Sequence, residues 1–319
     1  MCFACAHSLI QRELDEDGIN KVVADMVRDY DKTLTGAWAR ESDEAINESI
    51  KAFNDAPDNT TGYRAMIAVL AVKLKGITKP KDVKRLTILT DGLYRVVKEA
   101  EAAKVNTAFK MTKLDKGVVR ALANDGPYWI GNFYGDHLSQ RIAEVGYNVT
   151  VEGGFGREAA GRTMKDVLRR EFALSGGASS FESTIPARFA GNVDNYTRIV
   201  AANVAQRSRV YSSVSAMDDA GFARYQFTAV MDERTSEVCQ EMNGRVFTVA
   251  SGVQTLQDVS LSESPEDFKQ AHPWPKNVES VRVIAGTGSF SEQNKNLEEA
   301  GIALPPLHGF CRSSVEAID

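Results

Sequence analysis

Only four of the 319 residues are cysteine and only four are histidine. That scarcity excludes a disulfide-stapled scaffold, where dense cysteine substitutes for a core that is too small. Long apolar runs are missing as well. The nearest, Ala65–Val72, falls far short of the ~18 residues needed to span a bilayer, so no membrane span is expected. Met1–Ile10 has neither a basic start nor a long apolar centre, and no conventional secretory signal is expected there. Together these absences point to synthesis in a reducing cytosol. The chain also has no G-x-S-x-G, no Walker A loop and no H-E-x-x-H, which removes the commonest local signatures of hydrolase, nucleotide and metalloprotease chemistry.

What is present suits a soluble globular protein: 43% hydrophobic and 25% charged residues, in a chain long enough for one large or two modest domains. The net charge of −5 argues against a protein that coats nucleic acid non-specifically. That charge is unevenly spread. Residues 1–60 carry 6 Lys/Arg against 13 Asp/Glu, residues 73–120 carry 13 against 5, and residues 218–319 carry 8 against 16. The basic central block either meets phosphate or an acidic protein ring, or is a solvated helix face. Lys79, Lys81, Lys84 and Arg85 are its partner-binding candidates.

The first two thirds read as helical. Ile19, Val22, Val23, Met26, Val27 and Tyr30 repeat at helical spacing, as do Tyr63, Met66, Ile67, Leu70, Ala71 and Leu74. A third helix follows Pro80, and a fourth is expected to begin near Asp125-Gly126-Pro127, where Asp can cap and Pro suits the first turn. Tyr147–Glu152 alternates like a strand; helices are then expected at Arg157–Leu174 and Val193–Met217, with a Gly/Ser loop at Ser175–Ser180 between them. After residue 217 short β-type runs appear at Tyr225–Met231, Arg245–Val249, Val278–Ile284 and Cys311–Ile318. Ala250–Asn277 shows little hydrophobic pattern and reads as a long surface excursion. The expected fold is mainly α: a helical body over 1–217, then a small α+β module over 218–319.

Two polar signatures stand out in that module. One is Asp232-Glu233-Arg234-Thr235 followed by Cys239 and Asn243-Gly244-Arg245-Val246-Phe247; the other is Pro305-Pro306-Leu307-His308-Gly309-Phe310-Cys311-Arg312. A purely structural reading is complete in itself: Asp232 or Thr235 caps a short helix, and Asn243-Gly244 turns the chain into a strand. A sharper reading gathers Cys239, His308 and Cys311, with Asp232 as a fourth, into a zinc site. A Cys239–Cys311 disulfide and a Cys239–His308 catalytic dyad are further alternatives. Cys2-x-x-Cys5-x-His7 has ligand spacing but no partner pair. Gly154-x-Gly156-x-x-Ala159 imitates a dinucleotide fingerprint, with Glu171 and Glu182 near the acidic position. It lacks the repeating βαβ setting and reads as a strand-to-helix turn.

The combined pattern D-x-R-T-x-x-x-C-x4-G-x-x-F…P-P-x-H-x-x-C-R resembles the C-terminal module of the phage minor head, or head-morphogenesis, proteins of the Mu F-like family. The matching residues are Asp232, Arg234, Thr235, Cys239, Gly244, Phe247, His308, Cys311 and Arg312. The resemblance covers about 100 residues. It implies a low-copy virion component, associated with the portal ring and connected with head assembly or genome delivery; sparse candidate chemistry beside plentiful helical surface leans to a protein that is not an enzyme. Capsid protein and packaged DNA are further partners it implies, and it places the protein in the host cytoplasm during assembly and then in the virion. Two features depart from the family. Arg207-Ser208-Arg209 stands where relatives carry an Arg-Thr-Glu step, and Ser236 and Ser313 stand where many carry two further cysteines. With those cysteines absent, no cofactor and no tightly held metal is expected. The chain runs eight residues past Cys311, so a fused effector domain is not expected either. The alternative function is a Cys/His-dependent hydrolase or transferase using Cys239, His308 and Asp232.

Overall fold

The computed structural model describes residues 16–104, 107–172 and 193–318. The Cys2/Cys5/His7 spacing, the Ser175–Ser180 loop and Glu182 lie outside them. The described chain is mainly α with a small three-stranded antiparallel sheet near its C-terminal end. Its helices are α1 (Glu16–Asp55), α2 (Asn59–Lys75), α3 (Pro80–Lys104), α4 (Lys113–Tyr128), α5 (Gly135–Tyr147), α6 (Arg157–Glu171) and α7 (Val193–Asp219). The module follows as β1 (Arg224–Thr228), α8 (Glu237–Met242), β2 (Val246–Thr248), α9 (Val249–Leu261), α10 (Pro265–Ala271), α11 (Val278–Ala285), α12 (Phe290–Glu299) and β3 (Ser314–Ile318). Among the described residues no helix is long and apolar enough to cross a membrane.

The chain forms two compact units. One comprises Tyr30–Arg85 and Gly126–Val200; the other comprises Met1–Asp29, Leu86–Asp125 and Ala201–Asp319. The module expected after residue 217 therefore packs in one unit with the C-terminal part of α3 and most of α4.

In the first unit Trp38, Phe53, Met66, Leu70, Leu138, Ile142, Met164 and Leu168 are buried. Each such side chain contributes roughly 1.5–3 kcal/mol through burial. The Trp38 ring stacks on Phe172 at 5.4 Å, and its Nε1–H donates to the Phe172 carbonyl at 3.1 Å, so the polar edge of the indole is satisfied. Asp58 caps α2 by accepting from the Thr61 amide at 2.8 Å. Four residues into α2, a Cβ at Gly62 would sit 2.6 Å from the Phe53 carbonyl oxygen, so only glycine lets these backbones approach.

In the second unit α7 carries small residues between its larger apolar ones, and Ala201, Val204, Ala205, Ser208, Val210, Tyr211, Ser212 and Val214 are all buried. A helix covered on this many sides belongs to the interior. The sheet lies in the same unit, in the order β2-β1-β3. Tyr225 faces Phe247 in β2 and Ala317 in β3. Tyr225, Phe227 and Phe247 are essentially unexposed, and the Tyr225 and Phe247 rings meet at 5.8 Å.

Four expectations change. Tyr147–Glu152 is not a strand: Asn148–Glu152 is π-helical and continues α5, with the Thr150 hydroxyl returned to the Gly146 carbonyl at 2.6 Å. The turn at Gly153–Gly156 therefore joins two helical segments. Val278–Ile284 is helical as well, because Asn277 caps it and only Val281 and Ala285, four residues apart, are buried. Ala250–Asn277 is no loop excursion but largely α9 and α10, which bury Leu256, Val259 and Phe268. Finally α4 starts at Lys113, well before Asp125, and Pro127 lies inside it, directly before a π-helical segment at Trp129–Tyr134. Proline in a helix removes one ladder bond, and a local widening accommodates it.

A candidate thiol–imidazole site

The site is built where β1 ends and where the chain returns to enter β3. After β1, Asp232–Thr235 closes a turn on itself. The Asp232 amide donates to Thr235 Oγ1 at 2.9 Å, and the Arg234 amide donates to Asp232 Oδ1 at 2.9 Å. Ser236, and not Asp232 or Thr235, is the N-cap of α8: its hydroxyl accepts from the Cys239 amide at 3.2 Å. The cap residue is thus one position later than the sequence suggests, because Asp232 and Thr235 are already committed to the turn. α8 ends at Asn243, whose side chain accepts from the Ala229 amide at 2.9 Å. Gly244, at φ 79°, turns the chain into β2.

The returning strand brings the other half. Leu304 and Leu307 are buried and anchor the segment, and the Pro305–Pro306 bond is cis. The Cys311 amide donates to the His308 carbonyl at 3.3 Å, closing a tight turn in which Phe310 takes a positive φ of 57°. Just beyond, the Gln206 side-chain amide on α7 donates to the Ser313 carbonyl, tethering the chain as it enters β3.

These two segments place the signature residues together. His308 Nε2 lies 2.8 Å from Ser236 Oγ and 3.1 Å from Cys239 Sγ. Cys239 Sγ lies 3.5 Å from Cys311 Sγ. His308 Nδ1–H donates to the Gly309 carbonyl at 2.7 Å, which directs Nε2 at the sulfur. The Cys311 thiol donates to Cys239, and that hydrogen bond lowers the Cys239 thiol to about 4 against the opposing effect of burial, with His308 also favouring the thiolate. The interaction with Cys239, and burial after it, push the Cys311 thiol up, so Cys239 is the sulfur that ionises first. Both cysteines are free thiols and both are buried.

Asp232 is near this cluster but not part of it. Arg312 donates from Nη1 and Nη2 to its two carboxylate oxygens at 2.8 and 2.5 Å, and Arg234 approaches at 3.5 Å. The Arg312 fork is the main reason the Asp232 carboxyl is held well below the usual carboxylate range. The four-residue zinc set therefore does not assemble: three donors, from Cys239, His308 and Cys311, lie within 4.8 Å of one another, while Asp232 is engaged by arginine. The His308 ring is oriented by the Gly309 carbonyl, not by Asp232.

Gly244 and Phe247 act structurally, the first as the turn and the second as sheet core. The basic candidates fall elsewhere. Lys81, Lys84 and Arg85 are exposed on the first turns of α3, whereas Lys79 pairs with Glu41 at 3.0 Å. Lys98, which adds to the basic block by count, is buried between Asp115 and Asp219 at 2.8 and 2.7 Å and contributes no outward charge. Sequence reading missed three partners. Ser236 is noted in the sequence only as standing where relatives carry a cysteine, not as the helix cap and His308 partner that it is. Gln206 carried no signal. Arg207 was noted only for its place in the long helix, yet it is buried, bonds Asp125 at 3.0 Å and stacks over Phe268 at 4.5 Å. No family model, curated protein or solved structure matches this chain.

Proposed function

We propose that this chain is a phage minor head protein of the Mu F-like type, a low-copy component of the virion that docks at the portal ring and takes part in head assembly or genome delivery. One observation supports this reading above the rest. The residues that carry the resemblance, from Asp232–Cys239 and His308–Arg312, come from segments about 70 residues apart and interlock in one small module through Arg312–Asp232 and Cys239–His308. A shared module with that interlock explains why such residues recur as a set. In this reading the module is a folded knob, and the helices supply the docking surface, with Lys79, Lys81, Lys84 and Arg85 as its electrostatic part. Contacts with capsid protein and packaged DNA belong to the same proposal. Co-expression with the portal protein encoded in the same genome tests it: a stable complex on size-exclusion chromatography is expected, and two separate elution peaks at micromolar concentration contradict it.

A second reading, a Cys/His-dependent hydrolase or transferase, is favoured by the 3.1 Å approach of His308 Nε2 to Cys239 Sγ. It proceeds without Asp232, whose carboxylate is bound to Arg312. Turnover of an activated ester by the full chain, abolished in Cys239→Ser, would establish it over the first.

A further inference from the structure

We propose that Cys239 and Cys311 form a redox-active dithiol, in which Cys239 attacks a small hydroperoxide, His308 handles its proton and Cys311 resolves the product to a disulfide. The inference stands on geometry and does not depend on the virion reading. Two sulfurs from segments 72 residues apart lie 3.5 Å from each other. Bonding requires them to close from there to about 2.0 Å. The pair is not a chance surface encounter. Cys239 is fixed in the first turn of α8 by the Ser236 cap, and Cys311 by its amide bond to the His308 carbonyl.

The imidazole completes the arrangement. With Nδ1–H committed to the Gly309 carbonyl, Nε2 is the nitrogen that faces Cys239 Sγ and the Ser236 hydroxyl, and it is placed to take the thiol proton and hold it as imidazolium beside the thiolate. Access is narrow. Cys239, 3% exposed, lines a small depression with Val230, Ser236, His308, Phe310 and Arg312, and Cys311, 5% exposed, lies behind it against the Cys239 sulfur. So small an opening favours a reagent of the size of hydrogen peroxide over a bulky disulfide.

The chemistry balances. Cys239 passes its proton to His308 Nε2, and the thiolate attacks one peroxide oxygen. The O–O bond breaks, and the leaving hydroxide takes the proton from His308 as water, leaving a sulfenic acid on Cys239. The Cys311 sulfur then attacks Cys239, the S–O bond breaks, and the hydroxide combines with the Cys311 proton as a second water. Two thiols and one hydroperoxide become one disulfide and two waters. The oxidised chain would join α8 covalently to the entry of β3, between the same segments that Arg312 and Asp232 already hold.

The test uses the full chain with Cys2→Ser and Cys5→Ser, so that Cys239 and Cys311 are its only thiols. Reduced protein is exposed to hydrogen peroxide, quenched, alkylated in denaturant and mapped by mass spectrometry. Both thiols are expected to disappear together, yielding a Cys239–Cys311 linked peptide that reductant reverses, and His308→Gln is expected to slow the reaction about tenfold. In Cys311→Ala the reaction should stop at a Cys239 sulfenic acid that dimedone captures. If that variant fails to fold, the coincidence of the two thiol losses in the parent chain decides. Independent oxidation of the two sulfurs, or an equal rate of linkage in denaturing urea, would overturn the proposal. So would one tightly held zinc per purified chain that Cys239→Ser removes, because the sulfurs would then be metal ligands.

Discussion

Arg312 grips Asp232 with both arms of its guanidinium, at 2.8 and 2.5 Å, across 80 residues of chain. The pair fastens the start of the last strand to the turn that precedes α8. Because both side chains are about one third exposed, its contribution is local and salt-sensitive. In Asp232→Asn, backbone amides of Cys311 and Ser313 should exchange with deuterium faster than in the parent chain, with little change in global unfolding. Arg312→Lys should behave the same way, since an ammonium cannot reproduce the two-point contact. Unaltered exchange at those amides would show that the backbone bonds alone hold the segment.

A stronger effect is expected at Lys98. Its ammonium is 1% exposed and meets Asp115 at 2.8 Å, Asp219 at 2.7 Å and the Ser215 hydroxyl at 2.9 Å. Lys98→Ala strands the buried Asp115 carboxylate without its cation, at a cost of about 3–5 kcal/mol. Pairing it with Asp115→Asn should cost clearly less than the sum of the two single changes, because the groups act as one network. Urea unfolding of the three variants measures both quantities, and additive losses would refute the coupling.

His272 gives the chain a defined pH response. Its ring is fully buried, with Tyr211 on Nδ1 and the Leu304 carbonyl accepting from Nε2 at 2.8 Å. Burial first, and then the nearby Arg207 charge, lower it from 6.5 to about 3. The unfolded chain therefore takes up this proton as pH falls through 6.5, while the folded chain resists until about 3. Stability from this group is complete above 6.5 and declines below it, by about 1.4 kcal/mol per pH unit. Between pH 6.5 and 4.5, His272→Gln should show a shallower loss of stability than the parent by one proton. Parallel pH profiles would mean that His272 titrates alike in both states.

Much of the fold was legible because its helices are long and periodic. The stripe from Ile19 to Tyr30 and the one from Tyr63 to Leu74 lie in α1 and α2 as their spacing requires. The failures cluster in short apolar runs, where periodicity cannot separate strand from helix. Val278–Ile284 is rich in β-branched residues, yet the Asn277 cap and the burial of Val281 and Ala285 make it helical. In the site, the sequence singles out Cys239, His308 and Cys311, and the fold brings their donor atoms within 4.8 Å of one another. The sequence could not tell that Asp232 would be claimed by Arg312, because that choice depends on how distant segments meet.

The exposed basic residues at the start of α3 offer a test of the docking surface proposed above. Lys81, Lys84 and Arg85 are exposed on neighbouring positions of α3. Reversing them and Lys79 to Glu should weaken association with the portal ring mainly by slowing its on-rate. If the contact is with DNA instead, parental affinity should fall by about one log-log unit of salt dependence per neutralised phosphate. Unchanged portal binding, DNA affinity and particle yield would leave these residues with no role beyond solvation.

On the proposed reading the genome that encodes this chain assembles phage particles, and the most direct measurement is the protein content of those particles. Quantitative mass spectrometry should find the chain in mature heads at a few to a few tens of copies, far below the major capsid protein. It should be lost from particles when the portal protein is deleted. Particles of full infectivity that lack the chain altogether would contradict the account.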